Sequence, residues 1–153
     1  MIRLSAHAHG IDEKLLYAIC KIESDFDNTK SQYDHWYHWT FKPEIFLNGW
    51  SIYDERKFQK TKWGLMQMRG CDLREFGYTG GINDIKKRIA DQLYYGCMYL
   101  KRKIDKYGEF LGIISYHTGS PIKCVSGGYL GEEYYEKVID IIDQQLLPQN
   151  SQS

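Results

Sequence analysis

The chain has 153 residues and a mass of 18.1 kDa, the length of one ordinary domain, and a chain of this size buries about 70% of its unfolded surface on folding. Twenty Lys and Arg balance twenty Asp and Glu, which argues against a dedicated nucleic-acid binder with its basic stripe. At 42% hydrophobic and 26% charged residues the composition is globular rather than disordered. No apolar run approaches the roughly 18 residues of a membrane span. The start, Met1-Ile2-Arg3-Leu4-Ser5-Ala6-His7, has no basic stretch followed by an apolar one, so no secretory signal is expected. Cys20, Cys71, Cys97 and Cys124 form no CxxC pair, and the nearest histidine, His117, stands seven residues before Cys124. Four reduced thiols, no metal site and no cofactor are the expectation.

Apolar residues recurring every three or four positions predict a helix over Ile11 to Asp25, with Leu15, Leu16, Ile19 and Ile22 on one stripe. Residues 33–63 break that pattern. They hold all four tryptophans, Trp36, Trp39, Trp50 and Trp63, with Tyr33, Tyr37, Phe41, Phe46, Tyr53 and Phe58 among polar neighbours. Such density suits either a hydrophobic cluster under a long loop or the wall of a cleft that stacks sugar rings. Shorter helices are expected at Gly64–Phe76 and Glu109–His117. A long one is expected from about Asn83 to Tyr107, stopped by Gly108, and a last one from Gly131 to Leu146 before Pro148. Nothing alternates as a run of strands. The expected class is mainly α, a single helical domain over residues 1–147 with an aromatic segment flanking a substrate cleft, then a polar tail at 148–153.

Glu23 stands near the end of the first helix, in register with Leu16 and Ile19. A carboxyl on a buried stripe is costly when ionised, and a carboxyl kept protonated near neutral pH is what a general acid requires. Alone this signal is weak, because a glutamate at a helix end is usually solvated.

The order of motifs adds to it. Gly10-Ile11-Asp12-Glu13-Lys14-Leu15-Leu16-Tyr17-Ala18-Ile19 leads into Glu23-Ser24, with Phe26 after it. Gly64-Leu65-Met66-Gln67-Met68 follows, then Phe76-Gly77-Tyr78, Gly96-Cys97-Met98-Tyr99-Leu100, Ser115-Tyr116-His117-Thr118-Gly119 and Tyr134-Tyr135-Glu136-Lys137-Val138. In this order, over roughly residues 6–142, the chain resembles the lysozyme-like lytic transglycosylases and their goose-type lysozyme relatives, most closely the phage-borne members.

The resemblance implies an α+β lysozyme-like fold and cleavage of the β-1,4 bond between N-acetylmuramic acid and N-acetylglucosamine in peptidoglycan. Glu23 would be the general acid, with the sugar's own acetamido group in place of a second carboxylate, as in substrate-assisted glycosidases. Ser24 would place the substrate, Met66 and Gln67 would line the floor, and Tyr116 and Tyr134 would approach Glu23. Met66 equally suits plain core packing. His117 stands where the family has asparagine, and brings a group that titrates near neutral pH. Asp34 is the first candidate for a second acid, against the simpler role of capping a turn; Glu44, Asp25 and Asp27 follow it. The expected activity is that of a lytic transglycosylase leaving 1,6-anhydromuramoyl ends, the alternatives being a goose-type lysozyme hydrolase or a non-catalytic glycan-binding domain. The expected partner is the peptidoglycan glycan strand, met by a monomer carried in a phage virion or released through a membrane pore.

Overall fold

The computed structural model describes residues 1–47 and 49–146; residue 147 and the polar tail at 148–153 lie outside the described residues. It is mainly helical with one small sheet, and it divides into two units: Met1–Ile22 with the residues from Cys97 onward, and Glu23–Gly96. The division falls inside two helices, between Ile22 and Glu23 and between Gly96 and Cys97. No helix of the described residues is long and apolar enough to cross a membrane.

The first unit opens on a helix not expected from the sequence, α1 (Ile2–His9). Its stripe is too short and polar to show as a period. Gly10 and Ile11 close it, their N–H groups donating to the His7 and Ala6 carbonyls. Asp12 then opens α2 (Glu13–Ser24), its Oδ1 accepting from the N–H groups of Lys14 at 2.8 Å and Leu15 at 3.1 Å, the bonds that make a good N-cap. Leu15, Leu16 and Ile19 are buried as their spacing predicts, and Ala18 with them, whereas Ile22, expected on the same stripe, is only half-buried. Past the long helix come α7 (Glu109–Thr118) and α8 (Glu132–Leu146), close to their expected limits. A Cβ on Gly112 would lie 2.5 Å from the Cα of Ile104, so the crossing of these backbones requires a residue without a side chain. Ile113, Ile114, Tyr116, Tyr134 and Val138 are buried.

The second unit holds a three-stranded antiparallel sheet of β1 (Ser31–Tyr33), β2 (Thr61–Trp63) and β3 (Met68–Arg69), in that order. Ser31 pairs with Trp63 and Tyr33 with Thr61, while Trp63 also pairs with Met68. Strands of two or three residues are too short to display an alternating pattern. Around them lie a 3-10 turn (Pro43–Ile45), α3 (Ile52–Gln59) and α4 (Gly70–Glu75). Ser51 and Asp54 form a reciprocal capping box on α3.

Two expectations need correction here. The helix expected over Gly64–Phe76 begins only at Gly70; residues 64–67 are instead the loop joining β2 to β3. The long helix expected from Asn83 is two, α5 (Ile82–Lys87) and α6 (Ile89–Tyr107). The buried Gln92 accounts for the break. Its Nε2 donates to the Ile85 carbonyl at 2.7 Å and to the Asn28 carbonyl at 2.9 Å. In a continuous helix the Ile85 carbonyl would accept from the N–H of Ile89; the side chain takes that bond instead.

The core of this unit is built on an ion. Arg74 and Glu55 are both fully buried, joined by Nε–Oε1 at 2.8 Å and Nη2–Oε2 at 2.9 Å. Gln59 donates to the same carboxylate at 2.8 Å. The guanidinium carbon lies 4.4 Å from the Phe58 ring centroid and 4.8 Å from that of Phe46, with Tyr78 and Trp50 slightly farther. Trp63 stacks on Phe58 at 5.4 Å, and its Nε1–H donates to the Phe58 carbonyl at 3.0 Å. Three of the ten aromatics of this segment, Phe46, Phe58 and Trp63, are therefore core.

Candidate functional site

Glu23 and Ser24 are the last two residues of α2, and the chain leaves them through Asp25 and Phe26 with positive φ, 52° and 64°. Glu23 is half-buried rather than buried, because it lies at the helix terminus, past the covered stripe. Ser24 is buried, and its hydroxyl donates to the Leu65 carbonyl at 2.8 Å. That bond joins the end of α2 to the 64–67 loop.

Lys30 makes the second tie. Its ammonium donates to the Glu23 carbonyl at 2.5 Å, while its own carbonyl accepts from the Gly64 N–H at 2.9 Å and from Gln67 Nε2 at 3.2 Å. The loop is fixed from its other side by Gln92, whose Oε1 accepts from the Leu65 N–H at 2.9 Å. Gly64 has φ 72°, and a Cβ there would lie 2.3 Å from Gln92 Cδ, so both the backbone conformation and the close approach require glycine.

Gln67 spends both amide hydrogens on main-chain carbonyls, those of Lys30 and of Gly64 at 2.9 Å. Its Oε1 is buried with no hydrogen-bond partner, in a residue only 7% exposed. An unmet buried acceptor costs about 1–3 kcal/mol. Gln67 also has φ 49°. Of the four non-glycine residues with positive φ among the described residues, Asp25, Phe26 and Gln67 flank this junction, Lys42 being the fourth. Backbone held in such conformations costs of order 1–3 kcal/mol per residue and clusters at functional sites.

Met66 is fully buried. A Cβ on Gly96 would lie 2.2 Å from its sulfur, so Met66 fills space against α6 rather than lining a floor. Asp34 is placed differently from Glu23. Its Oδ2 accepts from Arg69 Nη1 at 3.1 Å and its Oδ1 from the Trp36 N–H at 3.1 Å, while the Arg69 guanidinium lies over the Tyr37 ring at 3.7 Å. Desolvation pushes the Asp34 carboxyl up, but Arg69 and the N–H groups of Trp36 and Tyr37 outweigh it and hold it below the usual range. Asp34 thus caps a turn as an ionised group. Glu44 and Asp25 are exposed, and Asp27 caps Thr29, whose hydroxyl and N–H lower its carboxyl pKa.

The remaining candidates belong to the first unit. Tyr116 is buried edge-on to Tyr99, ring centroids 5.5 Å apart. His117, next along α7, stacks flat on Tyr134 at 4.4 Å with 10° between the planes. Each unit therefore gathers its own part of the expected set: Glu23, Ser24 and Gln67 in one, Tyr116, His117 and Tyr134 in the other.

Of the four tryptophans in the segment that suits either a cluster or a cleft wall, Trp63 is 5% exposed and belongs to the core. Trp36 is 80% exposed and Trp39 48%. Sequence reasoning missed Lys30, Gln92, Arg69 and Arg74, residues that hold this scaffold in place. A buried Gln or Arg inside an amphipathic pattern is the signal that was present, but its partner cannot be read from spacing.

Comparison with known proteins finds no matching family model, no similar curated protein and no similar solved structure.

Proposed function

We propose that this chain cleaves the glycan strands of peptidoglycan at the β-1,4 bond after N-acetylmuramic acid, as a lytic transglycosylase with Glu23 as its one acid-base group. The observation that carries the proposal is the junction of Glu23-Ser24 with Gly64-Leu65-Met66-Gln67 through the Ser24–Leu65 bond and Lys30. These are the two motifs of the resemblance with the most chemical content, and they lie some forty residues apart in the chain.

In this reading Glu23 protonates the glycosidic oxygen as the bond from C1 breaks. The substrate's 2-acetamido oxygen stabilises the cation at C1. The Glu23 carboxylate then takes the proton of the C6 hydroxyl, whose oxygen closes the 1,6-anhydro ring on C1. Ring closure outruns water when that hydroxyl is held against C1, because effective molarities in such reactions far exceed bulk concentrations. The unpaired Oε1 of Gln67 suits an acetamido N–H as its missing donor. Trp36, exposed on a turn held by Asp34 and Arg69, and Trp39, exposed just after it, supply flat faces for pyranose rings.

Asp34 supports the single-carboxylate form over hydrolysis. A carboxylate paired with Arg69 and held below the usual range is a weakened base for activating water.

Digestion of purified peptidoglycan followed by mass spectrometry tests the proposal. Anhydromuramoyl ends are expected from the wild type, and at least a tenfold loss, about 1.4 kcal/mol of barrier, in a folded Glu23→Gln protein. Reducing ends would assign hydrolysis instead. Wild-type levels of cleavage in the folded Glu23→Gln variant would remove Glu23 from the chemistry.

A further inference from the structure

The second unit carries a cavity of about 480 Å³ between Trp50 and residues 79–84, lined by none of the residues gathered around Glu23. Its volume lies in the range of small-molecule sites, about 300–1,000 Å³. The walls are fixed from the core side. Arg74 Nη1 donates to the carbonyls of Tyr78 at 2.7 Å and Gly80 at 2.9 Å, and the Tyr78 hydroxyl donates to the Gly81 carbonyl at 3.2 Å. The Gly81 N–H donates to Asp84 Oδ2 at 2.9 Å. On the facing wall the Trp50 Nε1–H donates to the Phe46 carbonyl at 2.9 Å, and its ring packs on Phe58 at 5.7 Å.

A buried ion pair is a poor way to gain stability, since desolvation offsets most of the attraction. Here the same buried guanidinium also sets the shape of an exposed loop, by occupying two of its carbonyls. What the loop leaves for a ligand is a half-buried indole, the Asn83 carboxamide and the second oxygen of Asp84. No Lys or Arg lines the cavity, and the Asp84 carboxylate would repel an anion, so phosphates and acids are poor occupants. An aromatic face beside a carboxamide and a carboxylate oxygen matches a sugar, with its apolar C–H face and its ring of hydroxyls.

We propose that this cavity binds a neutral pyranose, an N-acetylglucosamine unit, and is a second carbohydrate site on the chain. The choice of this sugar rests on the glycan reading above. The uncharged sugar of the wall suits the site, and the acidic muramic acid does not.

Titrating the full chain with triacetylchitotriose, observed by NMR of backbone amides and indole N–H groups, tests the proposal. Saturable shifts are expected at the Trp50 indole and at the amides of residues 79–84. Asn83 is exposed and its side chain bonds to none of the other described residues, so Asn83→Ala should keep the native spectrum. It should weaken binding about fivefold, the cost of one lost hydrogen bond. Trp50→Phe retains a ring against Phe58, narrows the platform, and should weaken binding as well. Shifts confined to other residues, or an affinity unchanged in both variants, overturn the proposal. Wall cleavage is scored separately on the same protein. Sugar binding at Trp50 without cleavage removes the enzymatic reading and leaves this site standing; cleavage with a silent Trp50 removes this site alone.

Discussion

Trp36 and Trp63 come from the same aromatic-rich stretch, yet one indole is 80% exposed and the other 5%. The residues around Trp63 lie on regular elements, β2 and α3, that close over the Arg74–Glu55 pair. Their rings cover a cation that would otherwise be stranded. Those around Trp36 lie on a turn with no layer above it, and the turn is shaped by an ion pair at the surface, Asp34 with Arg69. Aromatic density therefore predicts neither core nor cleft. Which rings are covered depends on where the buried cation sits, and Arg74 lies on α4, outside the segment.

Breaking the buried half should have the largest effect on stability. Glu55→Ala leaves the Arg74 guanidinium buried without its counter-ion, a loss of about 3–5 kcal/mol, read as a fall in the denaturant midpoint. A loss below about 1 kcal/mol would mean that water reaches the site and that the rings do not seal it. The same substitution made in the two halves sharpens the contrast further. Trp63→Phe removes one of the two hydrogen bonds accepted by the Phe58 carbonyl, the other coming from a backbone N–H at the end of α3, and trims a buried ring, so it should cost about 1–3 kcal/mol, whereas Trp36→Phe should stay within about 0.5 kcal/mol. On wall cleavage the order reverses: Trp36→Ala should slow turnover while leaving the midpoint unchanged. Equal stability losses at the two positions would show that the exposed turn packs more firmly than its solvent contact implies.

Helices α2, α7 and α8 could be read from the sequence to within a residue or two, because each buries a stripe whose period survives in the chain. The sheet could not, since strands this short leave no pattern. The 64–67 loop reads as helix because Leu65, Met66 and Met68 are apolar at plausible spacing; Gly64 and Gln67, both at positive φ, turn it into a hairpin. The break at Arg88 depends on Gln92 reaching back to the Ile85 carbonyl, a side-chain contact that no periodicity records. At the candidate site, the motifs carried by resemblance named Glu23, Ser24 and Gln67. The bonds of Lys30 that tie them together had no sequence signature. The stripe places Glu23 deeper than it lies, because the buried run Ala18-Ile19-Cys20 gives way to half-buried Ile22 and Glu23 before the helix ends.

Asp34→Asn also gives a small effect and probes the surface ion pair itself. The amide keeps an oxygen for the Trp36 N–H and loses the charge that Arg69 pairs with. Asp34 is about one-third exposed and solvent screens the pair, so the loss at neutral pH should lie in the range of exposed pairs, about 0–1 kcal/mol. Its pH dependence has a definite sign. The folded carboxyl titrates below its unfolded value, so its stabilisation is fully present above the unfolded pKa, near 3.9, and is lost as pH falls through the lower folded value. Unfolding of wild type and variant should differ at pH 6 and converge well below pH 3.9. Cleavage of peptidoglycan should stay within about tenfold of wild type, or 1.4 kcal/mol of barrier, since the group only shapes the turn that presents Trp36. A gap in stability that closes already between pH 5 and 6, with a far larger loss of cleavage, would instead mark a raised carboxyl acting on substrate and would move Asp34 from the scaffold to the chemistry.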